Sequence, residues 1–194
     1  MKNMKLIAIL ASVIFIFGFA AIGTADTLKL GVAGPHSGDL ASYGIPTVKA
    51  AELVVKEINA AGGIKSLGGA KLEMVYADSE SKPEKGVAEA ERFINTEKVN
   101  VLTGCWNSAV SYPTSAVAER YGIPFIVPVS VADKITEQGF KNVFRIAAKD
   151  SWWTRDQFAF LKDMGKEFNT KVKKLAFVYE NGDWGKGFAG QWKA

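Results

Sequence analysis

The feature that most constrains this chain is an alternation. Short apolar runs are each followed by a longer stretch with apolar residues at every third or fourth position. The first run, 28–33, ends in Gly34, Pro35, Ser37, Gly38 and Asp39, all turn formers. The spacing of Val48, Ala51, Val54, Val55, Ile58 and Ala61 then predicts a helix over 45–61, with Lys49, Glu52, Lys56 and Glu57 on its other face and Gly62-Gly63 as its stop. Strands are expected at 71–78, 100–104, 123–129, 142–148 and 173–180. Helices are expected at 81–99, 109–121 and 152–167, and another begins after 187. Val87, Ala90 and Ile94 should face inward on the second helix. Pro128 must sit at the end of its strand, because it cannot donate to a ladder.

Strands separated by single helices imply βαβ units. The expected fold class is α/β, a Rossmann-like parallel sheet with helices on both faces. Ligands bind such sheets at the carboxyl ends of the strands. Four segments fall on that edge: 34–44, 104–113, 128–133 and 180–187, all rich in Gly, Ser, Asn or Trp. The strand-five end near 148–151 reads as a boundary, where Asp150-Ser151 can cap the next helix. A sixth strand with nothing to extend it suggests a piece of a longer two-lobed protein.

Composition excludes several classes. The formal charge is +4, falling to +2 once residues 1–25 are set aside, with no basic cluster to hold nucleic acid. Those 25 residues combine a positive start, MKNMK, an apolar run over 6–20 and small residues before a cut near Asp26. They read as a secretory signal peptide, the alternative being an uncleaved membrane anchor. No cysteine follows the apolar run, so a lipidated N-terminus is not expected. A single His36 and a single Cys105 leave little for a metal site, a disulfide or a Cys–His nucleophile pair.

Enzyme chemistry finds no constellation. Gly31, Gly34 and Gly38 give GxxGxxxG, neither a dinucleotide fingerprint nor a phosphate-binding loop. Ser108 lacks the nucleophile-elbow glycines, and His36 reads as a loop residue. Small-ligand capture fits better. Ser108 precedes the helix at 109, where unpaired N–H groups and the helix dipole favour an anion. It is either a ligand donor or a plain N-cap. Trp106 and Trp184 fall in strand-end loops, where rings line pockets. Of the adjacent Trp152 and Trp153, one should pack inward.

Three stretches, LKLGVAGPHSGDLASYG, AAELVVKEINAAGGI and YGIPFIVPVSVADKITEQGFKNVFRI, resemble the branched-chain amino acid and amide-binding proteins of ABC importers. These are type I periplasmic binding proteins, and the likeness covers 27–194. The resemblance implies two lobes that close on a ligand, no catalytic residues, no cofactor, a monomer and an inner-membrane permease as partner. It divides the chain into a signal peptide (1–25), an N-terminal ligand-binding lobe (26–148) and a hinge crossover with an incomplete second lobe (149–194).

Carried over by position, the carboxylate-binding serine falls on Ser108, beside Asn107 and Trp106. A small-residue segment falls on Val129, Ser130 and Val131, a loop aromatic on Tyr43, and a second-lobe aromatic on Trp184. Val131 stands where a threonine is common, Trp106 and Trp184 add aromatic surface, and Cys105 lacks the disulfide partner seen in some relatives, so a short amide, a urea-like molecule or an aromatic acid competes with leucine, isoleucine or valine as ligand. A periplasmic solute-binding role is expected, with a ligand-sensing ectodomain or amide-responsive regulator as the alternative.

Overall fold

The computed structural model describes residues 26–193. The signal-peptide reading therefore lies outside the described residues. Five parallel strands form one sheet: β1 (Leu28–Gly34), β2 (Leu72–Asp78), β3 (Val101–Gly104), β4 (Phe125–Val127) and β5 (Val143–Arg145), in the order β2-β1-β3-β4-β5. Helices α1 (Ala41–Ala60), α2 (Pro83–Asn95), α3 (Ser108–Tyr121), α4 (Asp150–Glu167) and α5 (Asp183–Lys193) complete the chain. The order reverses at β1, so the β1 and β3 ends flank a crevice, the usual ligand position in a doubly wound sheet.

The core lies between the sheet and the α2–α3 pair. Phe93, Phe125, Val127 and Val110 are fully buried there, with Leu102 and Ala118 beside them. Ala90 and Ile94 are buried as their spacing predicts. The two helices meet closely at Gly86, where a Cβ would overlap the Val110 side chain. Helix α1 covers β1 and β2 on the opposite face. It ends at Ala60, and Gly62 and Gly63 turn the chain with φ of 101° and 84°, a conformation that costs glycine little.

Several expectations need correction. The run 173–180 is not a strand: residues 171–181 form no backbone–backbone hydrogen bond among the described residues. A strand exists only through a neighbour, and this run lies against helices instead, with the Phe177 ring 4.8 Å from that of Trp192. A groove of about 500 Å³ opens between it and α4. Trp152 and Trp153 are both exposed, at 48% and 43%. Val54 faces solvent rather than the sheet. Strands β4 and β5 are shorter than expected, and β4 stops at Val127, one residue before Pro128.

Asp150 does not cap α4; Lys149 occupies that position, and Asp150 is a buried first-turn residue. Ser108 likewise lies inside α3, after Asn107, whose extended backbone (φ −79°, ψ 135°) places it at the cap. Trp184 is helical, in the first turn of α5, and not in a loop.

Candidate functional site

The site is assembled at the carboxyl ends of β1, β3 and β4. Strand β3 ends in Gly104 with φ of 109°, and Cys105 follows at 56°. Two left-handed residues in succession turn the chain sharply off the sheet and into α3. Only glycine fits the first, since a Cβ there would overlap the Ala33 carbonyl oxygen. Cys105 is a free, buried thiol that burial pushes up to about 12, which leaves it protonated and inert at neutral pH.

This turn is braced by buried hydroxyls. Ser111 donates to the Cys105 carbonyl at 2.5 Å. The Ser130 oxygen lies 2.7 Å from the same carbonyl, 3.0 Å from that of Trp106 and 2.6 Å from Ser111 Oγ. Ser130 is 2% exposed. It has one proton and three acceptors within reach, so that proton is committed inside the protein.

Arg145, the last residue of β5, holds the other side. It donates to the Ser130 and Ala132 carbonyls, both at 2.7 Å, and to Thr136 Oγ1 at 3.2 Å. Burial pulls the Arg145 guanidinium down from its usual range, while Asp133, Asp150 and Glu137 oppose the shift. The segment it grips offers its Ala132 N–H to Ser108 Oγ at 3.3 Å. That bond uses one lone pair of the Ser108 oxygen and leaves its proton available. Helix geometry also leaves the Ser108 and Ala109 N–H groups without intrahelical acceptors.

Tyr43 stacks on Trp106, with ring centroids 5.0 Å apart and planes 23° from parallel. Tyr43 is half exposed, so the pair presents an aromatic wall beside the α3 N-terminus. A crevice next to it is lined by Gly34, His36, Gly44, Trp106 and Val129. The His36 N–H donates to Asp78 at 2.8 Å. Burial pushes the Asp78 carboxyl up, but hydrogen bonds from Ser37, Glu80 and His36 together hold it below the usual carboxylate range.

The structure thus gathers Tyr43, Trp106, Asn107, Ser108, Val129, Ser130 and Val131 along one rim. Trp184 reaches its far end indirectly. Its indole N–H donates to Asp150 at 3.0 Å, and the Asp150 N–H donates to the Val131 carbonyl, also at 3.0 Å. Burial pushes the Asp150 carboxyl up, Asp133 adds to this, and Trp184 and Arg145 pull against it. A salt bridge between Lys134 and Asp183, 3.0 Å, adds a second tie between α5 and this rim.

Sequence reasoning missed Ser111, Arg145 and Asp150. Ser111 stands one helical turn after Ser108 and so shares its face, a signal the spacing carried. Arg145 is the one charge within an apolar run, 143–148, and a charge inside a buried strand calls for partners.

Among the described residues, no cluster of three or more His, Cys, Asp or Glu side chains could hold a metal. The arrangement is a set of hydrogen-bond donors beside stacked rings, suited to holding a small molecule by an oxygen.

The family model for periplasmic binding proteins matches residues 27–194. Leu/Ile/Val-binding protein homolog 3 of Brucella melitensis is 33% identical over 192 residues, which is 99% of this chain and 49% of that protein. The Leu/Ile/Val-binding protein of Escherichia coli K12 is 30% identical over 187 residues, 96% of this chain and 48% of that protein. A branched-chain amino acid transporter substrate-binding protein of Streptococcus pneumoniae, solved with isoleucine, superposes with a TM-score of 0.74 at 30% identity, covering 87% of this chain and 46% of that one. The chain spans about half the length of the curated relatives it matches. On the match to 27–194, the chain belongs to the periplasmic binding protein family.

Proposed function

We propose that the chain carries the first lobe of a periplasmic solute-binding component of an ABC importer. It captures a small amino acid, amide or related carboxylate and delivers it, between two closing lobes, to an inner-membrane permease. No catalysis and no cofactor enter this reading, and the carrier works as a monomer.

One observation carries it. Ser108 Oγ accepts the Ala132 N–H through one lone pair, which leaves its own proton available beside the unpaired N–H groups that open α3. A ligand carboxylate there receives donors that are already oriented, which lowers the ordering cost of binding. Tyr43 and Trp106 supply the apolar wall for the rest of the ligand. Ser130 acts through the loop it braces, and the backbone of Val129 and Val131 shapes the floor. Asn107 sets the entry into α3. Residues 149–193 supply the crossover, with Trp184 as the ring that meets the ligand on closure; lobe closure then joins two half-sites.

The test is a melting-temperature screen of the protein against branched-chain amino acids, short amides and aromatic carboxylates. A ligand that binds the folded state raises the midpoint by mass action, and the rise grows with the logarithm of its concentration above Kd. The reading predicts a rise with at least one class, and no response to any class at millimolar concentration contradicts it.

A further inference from the structure

The run Lys173–Glu180, KKLAFVYE, has the composition of a strand and, among the described residues, no strand beside it. One of its faces is already used. Leu175 lines the groove with Phe158 and Leu161 of α4, and the Phe177 ring lies 4.8 Å from that of Trp192 on α5. Side chains alternate along an extended run, so Lys174, Ala176, Val178 and Glu180 share the other face. Val178 is fully exposed there. A row of unpaired N–H and C=O groups beside apolar side chains is a template for a further strand.

The charges say which strand fits. The run is basic at its start and acidic at its end. Among the described residues Lys174 and Glu180 form no salt bridge. An antiparallel copy of the same run brings opposite signs together at both ends. Two-fold symmetry restricts the register further, because the axis of such a ribbon passes between a residue and its own copy. Centred on Phe177, the pairing sets Lys174 opposite Glu180 of the second copy, Leu175 opposite Tyr179 and Ala176 opposite Val178. The ion pair then occurs twice. Centred on Ala176, it sets Lys174 opposite Val178 and Glu180 opposite Val172, and both charges lose their partners.

We propose that this edge binds a second copy of the chain. Two 173–180 runs pair antiparallel about Phe177 into a ribbon, with α4 and α5 of each copy packed on its Leu175 and Phe177 face. A bare two-stranded ribbon is marginal in water, and the helices supply the burial that holds it. The pairing uses none of the rim residues and is independent of the ligand reading. It is a property of this 194-residue chain, whereas the monomer proposed above is the two-lobed carrier.

Sedimentation velocity of the 194-residue chain tests it. At about 100 micromolar the chain should run as a dimer that dissociates on dilution. Glu180→Lys and Lys174→Glu each set like charges opposite one another and should each weaken the dimer about tenfold. The double variant, Lys174→Glu with Glu180→Lys, exchanges the signs and should restore it. Phe177→Cys should form a disulfide between copies on mild oxidation, since the axis brings those two Cα atoms within bridging range. Val178→Cys should not, because it faces Ala176 of the second copy and lies too far from its own counterpart. Cys105 is buried and adds no background. A monomer at this concentration overturns the proposal. So does a dimer indifferent to the single charge changes, one that the double variant fails to restore, or bridging at 178 in place of 177.

Discussion

Two regions of this chain carry similar numbers of large apolar residues and treat them differently. On the α2–α3 face of the sheet, Phe93 and Phe125 are fully buried. On α4 and the run behind it, Phe160 is 62% exposed and Val178 fully exposed. The difference lies in what each region packs against. The first has a sheet and two helices that meet over it. Among the described residues the second has helices but no strand neighbour, so its strand-like run finds no ladder there. Apolar sequence sets what can be buried, and neighbouring elements set what is.

Substitutions should separate the two regions. Phe93→Ala should cost about 3–5 kcal/mol in urea unfolding, since the cavity cannot collapse between sheet and helix. Phe160→Ala should change stability by less than about 0.5 kcal/mol. Equal effects would erase the contrast. Gly104→Ala comes next, at about 2 kcal/mol or more, from a left-handed backbone and overlap with the Ala33 carbonyl. Arg145→Met should cost about 1–3 kcal/mol, because it leaves the Ser130 and Ala132 carbonyls without their donors.

The smallest effect concerns pH. Glu119 accepts from the Lys141 and Asn142 N–H groups, which hold its carboxyl below the usual range. A depressed carboxyl contributes stability above the unfolded-state value of about 4.3, and that contribution disappears as pH falls through the folded-state value. Glu119→Gln should therefore lower the neutral plateau slightly and flatten the acid limb, leaving stability at the acid end nearly unchanged. An unchanged acid limb would show that these hydrogen bonds contribute nothing to linkage.

Much of the first region was legible in the residues. Val87, Ala90 and Ile94 mark α2's inner face by spacing alone, and Gly62-Gly63 mark the end of α1, because periodicity and turn chemistry are local. The order of the strands was not legible, since pairing is decided across the chain. The site was half legible. Ser108, Trp106 and Tyr43 stood out as unusual residues at strand ends, where the fold class directs attention. Ser111, Ser130 and Arg145 form one buried network that joins β3, α3, β4 and β5, and nothing local in the sequence joins them. The run 173–180 misled for the converse reason. Its composition suits a strand, but a strand needs a partner that spacing cannot supply.

The central claim is that Ser108, oriented by the Ala132 N–H, donates to a ligand carboxylate. The most direct measurement is the affinity of the Ser108→Ala variant for whichever carboxylate most raises the melting temperature, read by titration beside the unaltered chain. The account predicts binding about tenfold weaker, near 1.4 kcal/mol, with the fold intact by circular dichroism. An affinity equal to that of the unaltered chain would contradict it.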